Sequence, residues 1–465
     1  MAIDITIRKQ KIKIVTASEQ YALQIRKTLN DRLAYDLIAV LESVFSSQFS
    51  SDEYVTIDKL KVDLGRIAPD TFERHFIELV EPKLQRALQT MAETNDNLLL
   101  KRAQLFTDEK NASVNSSSKQ EQEIKALLYF LEHGIYPWWY KKGERQTPAA
   151  LLSNLSKEAT DTLLLHIVSI KQYEPMEKVM KITDRLFTYL PDSLSESLIN
   201  KLLDLYNNPL LTNNTDILIK NKQALIESSA VTEQMLYKKI FQLLVDQDSI
   251  KARNIIEQLI KGLNQEKAPD GQSSLKDTLK DITNNTGNKK ATTPSKTEQE
   301  GIYISNAGLI LMSPFLPAFF RELNLVDTTY QFVSLAAQQE AAVLLYYLQC
   351  NSGEYQEWEM AFNKILCGIP VDDVLPAEIT IPEAEMEEGR LLLQRIVDYW
   401  EALKGASIEA VQNTFILREG KVTWKEDRWL LQVERMGADI LLDRLPWSFS
   451  IIKLPWLNYL IYTEW

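Results

Sequence analysis

The sequence is short of the residues that chemistry most often uses. Its 465 residues include two cysteines and three histidines. His75, His133 and His166 stand far apart in the chain, and none has a cysteine or another histidine at metal-ligand spacing. They read as ordinary surface or satisfied histidines. Cys350 and Cys367 lie in a histidine-free region, so the base that would activate a nucleophilic thiol is missing, and they read as semi-buried thiols. No Gly-x-Ser-x-Gly elbow is present to mark a serine hydrolase. Long apolar runs are also absent. The longest, Ala307 to Phe320, is interrupted by Pro314 and Pro317, whereas a membrane-crossing helix needs about 20 residues. No stable membrane insertion is expected. The start of the chain lacks an apolar signal segment, which leads us to expect synthesis in the reducing cytoplasm. A basic excess is missing too. The net charge of −12 argues against nucleic acid as a partner and is compatible with basic protein partners.

Acids are plentiful, but their spacing is not that of a site. Asp372, Asp373, Glu378, Glu383, Glu385, Glu387 and Glu388 crowd Val371–Gly389 without the EF-hand pattern. They read as charges facing the positive end of the helix that follows. Asp427, Glu434, Asp439, Asp443 and Glu464 would serve glycoside hydrolysis only if two of them converged at a defined separation. Solvated side chains on strands and turns are the simpler reading. No catalytic residue, metal or cofactor is expected, and the chain is not expected to be an enzyme.

What is present is modular. The length exceeds what one hydrophobic core supports, so about two to four domains are expected. Residues 1–95 read as a small α+β domain. Ile3, Ile5 and Ile7, then Ile12 and Ile14, alternate as in a strand. Tyr21 to Val44 has helical spacing, Tyr54 to Leu64 alternates again, and Phe72 to Leu88 supplies a second helix. Residues 96–118, with Asn111–Ser118 at their centre, read as a flexible linker. Residues 119–264 read as all-helical, with patterns near 121–133, 148–171, 174–190, 193–207, 215–228, 232–246 and 249–263. The breaks fall at Pro137, Pro175, Pro191 and Asn207-Asn208-Pro209. Residues 265–300 are polar and read as a disordered linker. Residues 301–465 read as a second α+β domain. Its helices are expected near 315–323, 334–348, 354–365, 382–400 and 408–415. Its small terminal sheet is expected from Trp429–Val433, a turn at Gly437, a return over Ile440–Leu442, then Phe449–Leu454 and Leu460–Tyr462. The fold class is therefore mixed and mainly α.

The last third is also aromatic. Seven of the nine tryptophans fall after Gly301, and Leu-Pro-Trp occurs twice, at Leu445–Trp447 and Leu454–Trp456. Large rings beside turn-fixing prolines suit either a small core or a protein-binding surface. The candidate anchors, for core or interface, are Trp138, Trp139, Trp429, Asp443, Arg444, Pro446, Trp447, Pro455 and Trp456. Trp447 and Trp456 are expected to be close together and largely buried.

These segments resemble those of a known family. Leu311–Leu325, Ala341–Leu348, Asn363–Pro370 and Tyr399–Lys404 carry the likeness, as do Phe415–Gly420, Trp429–Glu434, Ile440–Trp447 and Ile452–Trp456. In the first half, Ile7–Gln10, Ile57–Leu60, Val62–Gly65 and Leu127–Leu131 leading to Pro137-Trp138-Trp139 agree. Together they are similar to the tape measure proteins of bacterial contractile injection systems. That resemblance implies a structural role in setting tube and sheath length. It also implies contacts with inner tube, baseplate or tail-terminator subunits, and it brings no catalytic residue to carry over. Another possible role is that of a soluble adaptor or chaperone that caps the tube or loads cargo and is absent from the finished particle. A carbohydrate hydrolase in the last domain is a third, and it requires converging carboxylates.

Overall fold

The computed structural model describes residues 7, 10–16, 18–49, 54–57, 60–96, 114–117, 119–140, 146–229, 232–246, 250–265 and 294–465. The chain divides into two compact units, Met1–Lys125 and Ala126–Trp465.

In the first unit, Ser18 opens helix α1 (Glu19–Thr28) by accepting the Tyr21 amide. The single helix expected from Tyr21 to Val44 is divided by a π-turn at Leu29–Leu33, after which α2 runs Ala34–Gln48. The wider turn rotates the apolar stripe between the two helices. A third helix, α3 (Phe72–Asp96), buries Phe72, Phe76, Val80, Leu84 and Leu88. That four-residue spacing is one helix face. Against it pack Ile25, Leu33 and Leu37 in one cluster and Val44 in another.

Strand β1 (Tyr54–Ile57) pairs antiparallel with β2 (Val114–Ser117). The polar β2 sequence reads as linker because its pairing needs backbone groups, not apolar side chains. Leu60–Leu64 continues the alternation without forming a strand, and Leu60 and Val62 pack on the Val44 cluster instead. Residues 10–16 have no regular structure, and Ile12 and Ile14 are exposed. Alternation alone does not provide a partner strand. Ile3 and Ile5 lie outside the described residues.

The second unit opens with helical layers. They are α4 (Lys119–His133), α5 (Pro148–Ser153), α6 (Lys157–Ile170), α7 (Met176–Tyr189), α8 (Asp192–Tyr206), α9 (Pro209–Lys220), α10 (Lys222–Ser229), α11 (Glu233–Val245) and α12 (Ile250–Gln265). The helix expected over 148–171 is two, because Ser156 caps a fresh start by accepting the Ala159 amide. Asn207 ends α8 in the left-handed conformation, φ 47°, a C-terminal role open to Asn and Gly.

Then come α13 (Lys296–Glu300), β3 (Ile302–Ile304), α14 (Leu316–Glu322), α15 (Leu335–Cys350), α16 (Ala361–Cys367), α17 (Glu383–Tyr399) and α18 (Ile408–Val411). The last strands are β4 (Gly420–Lys425), β5 (Arg428–Val433), β6 (Ile451–Ile452) and β7 (Leu460–Glu464). They form one sheet in the order β3-β4-β5-β7-β6, antiparallel except for β5 with β7.

The hairpin differs from the expected one. β5 pairs with the upstream β4 through Glu426 and Asp427, both at positive φ (49° and 59°), the backbone of a type I′ turn. Gly437–Arg444 winds instead into a 3-10 helix, and the Asp439 carboxylate accepts the Met436 amide at its start. One sheet face packs on the core through Val422, Trp429, Leu431 and Ile461.

Candidate functional site

The two Leu-Pro-Trp copies have the same job at different places. Leu311 lies in a 3-10 helix (Ala307–Met312), where its carbonyl would accept from the residue three positions on. That residue is Pro314, which has no N–H. Trp447 provides the donor, its Nε1 reaching Leu311 O at 2.9 Å. Its ring meets Phe315 edge-on at 4.9 Å and stacks on Tyr399 at 5.7 Å.

The second copy completes α16. That helix ends at Gly368, φ 73°, a turn in which the Gly368 and Ile369 amides serve the Ile365 and Lys364 carbonyls and the Leu366 and Cys367 carbonyls fall to side chains. Trp456 Nε1 donates to Leu366 O at 2.8 Å, and Gln338 Nε2 donates to Cys367 O at 2.8 Å. The Trp456 ring packs on Phe332 at 5.1 Å and Phe320 at 5.4 Å. The expectation that the two indoles adjoin and are largely buried is therefore corrected. Both are half-buried, and each caps a different helix end. The physical reason is that each ring follows the orphan carbonyl it serves.

A buried ionic cluster ties α7 to the later part of the same unit. Arg185 is fully buried. Its Nε donates to Glu357 Oε1 at 3.1 Å, Nη1 to Leu131 O at 2.6 Å, and Nη2 to Asp372 O at 2.8 Å. Lys364 shares the Glu357 oxygen at 3.2 Å and donates to Val371 O and Asp373 O. Burial pulls the Lys364 ammonium below its usual range against the pull of Glu357. Beside the cluster, Lys181 bridges Asp372 at 3.1 Å and Asp373 at 2.7 Å. Trp358 packs its ring against Tyr136, Phe130 and Tyr189.

Residue chemistry missed Arg185, Glu357, Lys364 and Trp358 as anchors. The only signal was an arginine on the apolar stripe of α7, between Ile182 and Leu186, where a charged side chain must find a buried partner.

The remaining anchor candidates disperse. Trp429 is buried against Trp424, ring centroids 5.4 Å apart. Trp138 and Trp139 are half-buried in the turn after α4, and Trp139 meets Tyr140 edge-on. Pro446, Pro455 and Arg444 are exposed, and exposed Asp443 pairs with Arg435.

Three of the five candidate carboxylates, Asp439, Asp443 and Glu464, have side-chain partners of their own. Buried Asp439 accepts both Arg418 terminal nitrogens and the Trp465 indole N–H at 2.9 Å, while Glu464 accepts from Gln432. Burial would raise the Asp439 pKa, but Arg418, the Met436 amide and Trp465 together bring it below the carboxylate norm.

Two histidines that are distant in sequence meet at one carboxylate. Glu132 Oε1 is 2.5 Å from His166 Nε2, and Glu132 Oε2 is 3.8 Å from His133. Burial holds His133 down at about 4 despite Glu132, and Lys178 and Arg185 lower it further. Burial pushes the thiols of Cys350 and Cys367 up, away from thiolate chemistry. Among the described residues, no group of three or more His, Cys, Asp or Glu is placed to hold a metal ion. No described helix is long and apolar enough to cross a membrane.

The arrangement is one of mutual support among distant segments. Comparison with known proteins agrees with a structural protein. A family model described as contractile injection system tape measure protein matches residues 4–465. No curated protein and no solved structure matches.

Proposed function

The chain belongs to the contractile injection system tape measure proteins, and from that premise we propose that it sets inner-tube length, and so sheath length, while bound to other particle subunits. The observation that carries this reading is that the family match takes in both units, from residue 4 to residue 465. We read the role as non-enzymatic. Its partners are the inner tube, baseplate or tail-terminator subunits, and assembly takes place in the cytoplasm before or as the chain joins the particle. The deciding measurement is the length distribution of particles made without this chain, taken by electron microscopy. Loss of uniform length, or of particles, is expected. Uniform particles of unchanged length would overturn the reading.

We further propose that Ala126–Trp465 works folded. A ruler made of one extended helix of this chain would reach roughly 700 Å. To become such a thread, the unit would have to part Arg185 from Glu357 and both indoles from their carbonyls. A fitting test inserts about 20 residues between Asn207 and Asn208, an exposed turn. The folded mode predicts unchanged particle length. Lengthening of about 30–70 Å, helical to extended, would sink it.

A further inference from the structure

The first unit leaves one alternating segment without the neighbour that alternation calls for. Gln10–Thr16 reads Gln-Lys-Ile-Lys-Ile-Val-Thr. As a strand it would carry Ile12, Ile14 and Thr16 on one side and Lys11, Lys13 and Val15 on the other. Its β-branched residues suit a pleated surface. Yet among the described residues no backbone–backbone hydrogen bond reaches it, and β1 and β2 pair with each other. Ile12 and Ile14 are exposed, and Val15 is 85% exposed. One end of the segment is held in place. The Thr16 hydroxyl accepts the Ser18 amide at 3.3 Å, and Ser18 in turn caps α1.

Charge narrows what the missing neighbour is. Lys11 and Lys13 are exposed, and among the described residues they enter no ion pair. No acid stands between Asp4 and Glu19, in a chain whose net charge is −12. A second copy of the segment fits poorly. Setting Ile12 across from Ile14 in an antiparallel pair of copies sets Lys13 across from Lys13. Setting Ile12 across from Ile12 sets Lys11 across from Lys13. Like charges directly opposite destabilise a strand pair, and lysine on a strand commonly guards against such self-association. Carboxylates in those positions would do the reverse.

We propose that Gln10–Thr16 adds as a strand to the open sheet edge of a protein partner. That edge sets Asp or Glu across from Lys11 and Lys13 and apolar side chains beside Ile12 and Ile14. In strand addition the backbone hydrogen bonds give affinity and the alternate side chains give specificity. That the partner is a subunit of the injection particle rests on the functional reading above. The chemistry of the strand does not.

The test uses the full chain, produced together with the other particle components, with a photo-crosslinking benzoylphenylalanine in place of Val15. The expected result is an adduct to a particle subunit, mapped to a peptide containing Asp or Glu. The double variant Lys11→Glu, Lys13→Glu should lower adduct yield at least tenfold, and Lys11→Arg, Lys13→Arg should keep it, with thermal unfolding unchanged in both. Proline tests the pairing itself. Neighbouring N–H groups of a strand point to opposite sides, and an edge strand tolerates proline where the N–H faces away from the ladder. Ile12→Pro and Lys13→Pro should therefore differ, one losing at least tenfold in yield and the other little. Adducts within the chain or to a second copy, no adduct at all, yields indifferent to charge reversal, or equal yields from the two proline variants would overturn the proposal. Normal particles from the charge-reversed chain, alongside lost length control when the chain is absent, would sink this strand and leave the functional reading standing.

Discussion

The first unit and the second are both built on amphipathic helices, yet they are fastened differently. In Met1–Lys125 the described core is apolar, with the four-residue stripe of α3 against α1 and α2, and the Arg32–Glu73 ion pair lies at the surface, its side chains 77% and 55% exposed. In Ala126–Trp465 charges are inside. Arg185, Glu357 and Lys364 are buried, as are Arg418 and Asp439. Apolar stripes tolerate sliding and substitution, because hydrophobic contact is non-directional. A buried ion with several defined acceptors does not. The second unit is thus the one whose geometry is specified, and the one whose perturbation should be felt in assembly.

The sharpest way to break the comparison is Glu357→Ala. It leaves two buried cations without their shared anion, and denaturant unfolding of the second unit should lose about 3–5 kcal/mol. Replacing Arg185, Glu357 and Lys364 together by Met should recover most of that loss. If the single variant is neutral, the cluster is not what fastens the unit.

Acid should act next. The folded pKa of His133, about 4, lies below the unfolded value near 6.5, so the unfolded chain takes up the proton first. Stability is fully present above about 6.5 and falls as pH drops towards 4, by on the order of 3 kcal/mol. His133→Gln should flatten that slope in pH-dependent unfolding.

Smaller still, Trp447→Phe and Trp456→Phe should each cost about 1–3 kcal/mol by leaving a carbonyl without its donor. The two should part on rescue. Pro314→Ala restores an N–H three residues beyond Leu311 and should recover part of the Trp447→Phe loss. No neighbouring change should do so for Trp456→Phe, because Gly368 turns the backbone away from Leu366. Equal rescue of both variants by Pro314→Ala would refute the capping account. The least effect belongs to the first unit, where Arg32→Ala should move the melting curve by no more than about 0.5 kcal/mol.

Much of the helical framework was legible in advance because periodicity is local. The stripes of α3, α7 and α11 and the prolines before α7 and α8 fall where the pattern puts them. The π-turn at Leu29–Leu33 was not, since one extra residue leaves the apolar composition unchanged. The hairpin was misplaced because Lys425-Glu426-Asp427-Arg428 lacks the glycine that usually marks such a turn. Leu-Pro-Trp stood out as a repeated motif, but its partners did not. Nothing near Trp447 in the sequence points to Leu311, 136 residues earlier. Of the anchor candidates, Trp139, Trp429, Asp443, Trp447 and Trp456 are among those with defined neighbours. Arg185 escaped notice because its partner comes so much later.

That delay has a consequence in time. Glu357 follows Arg185 by 172 residues. At roughly 5–20 residues per second on the ribosome, α7 waits on the order of 10–35 seconds before the anion that neutralises its arginine exists. Through that interval the helical layers have apolar faces but no closing charge. The nascent chain passes through a stage in which it cannot finish its own fold. Its readiness to join a growing particle is therefore timed by the last third of translation.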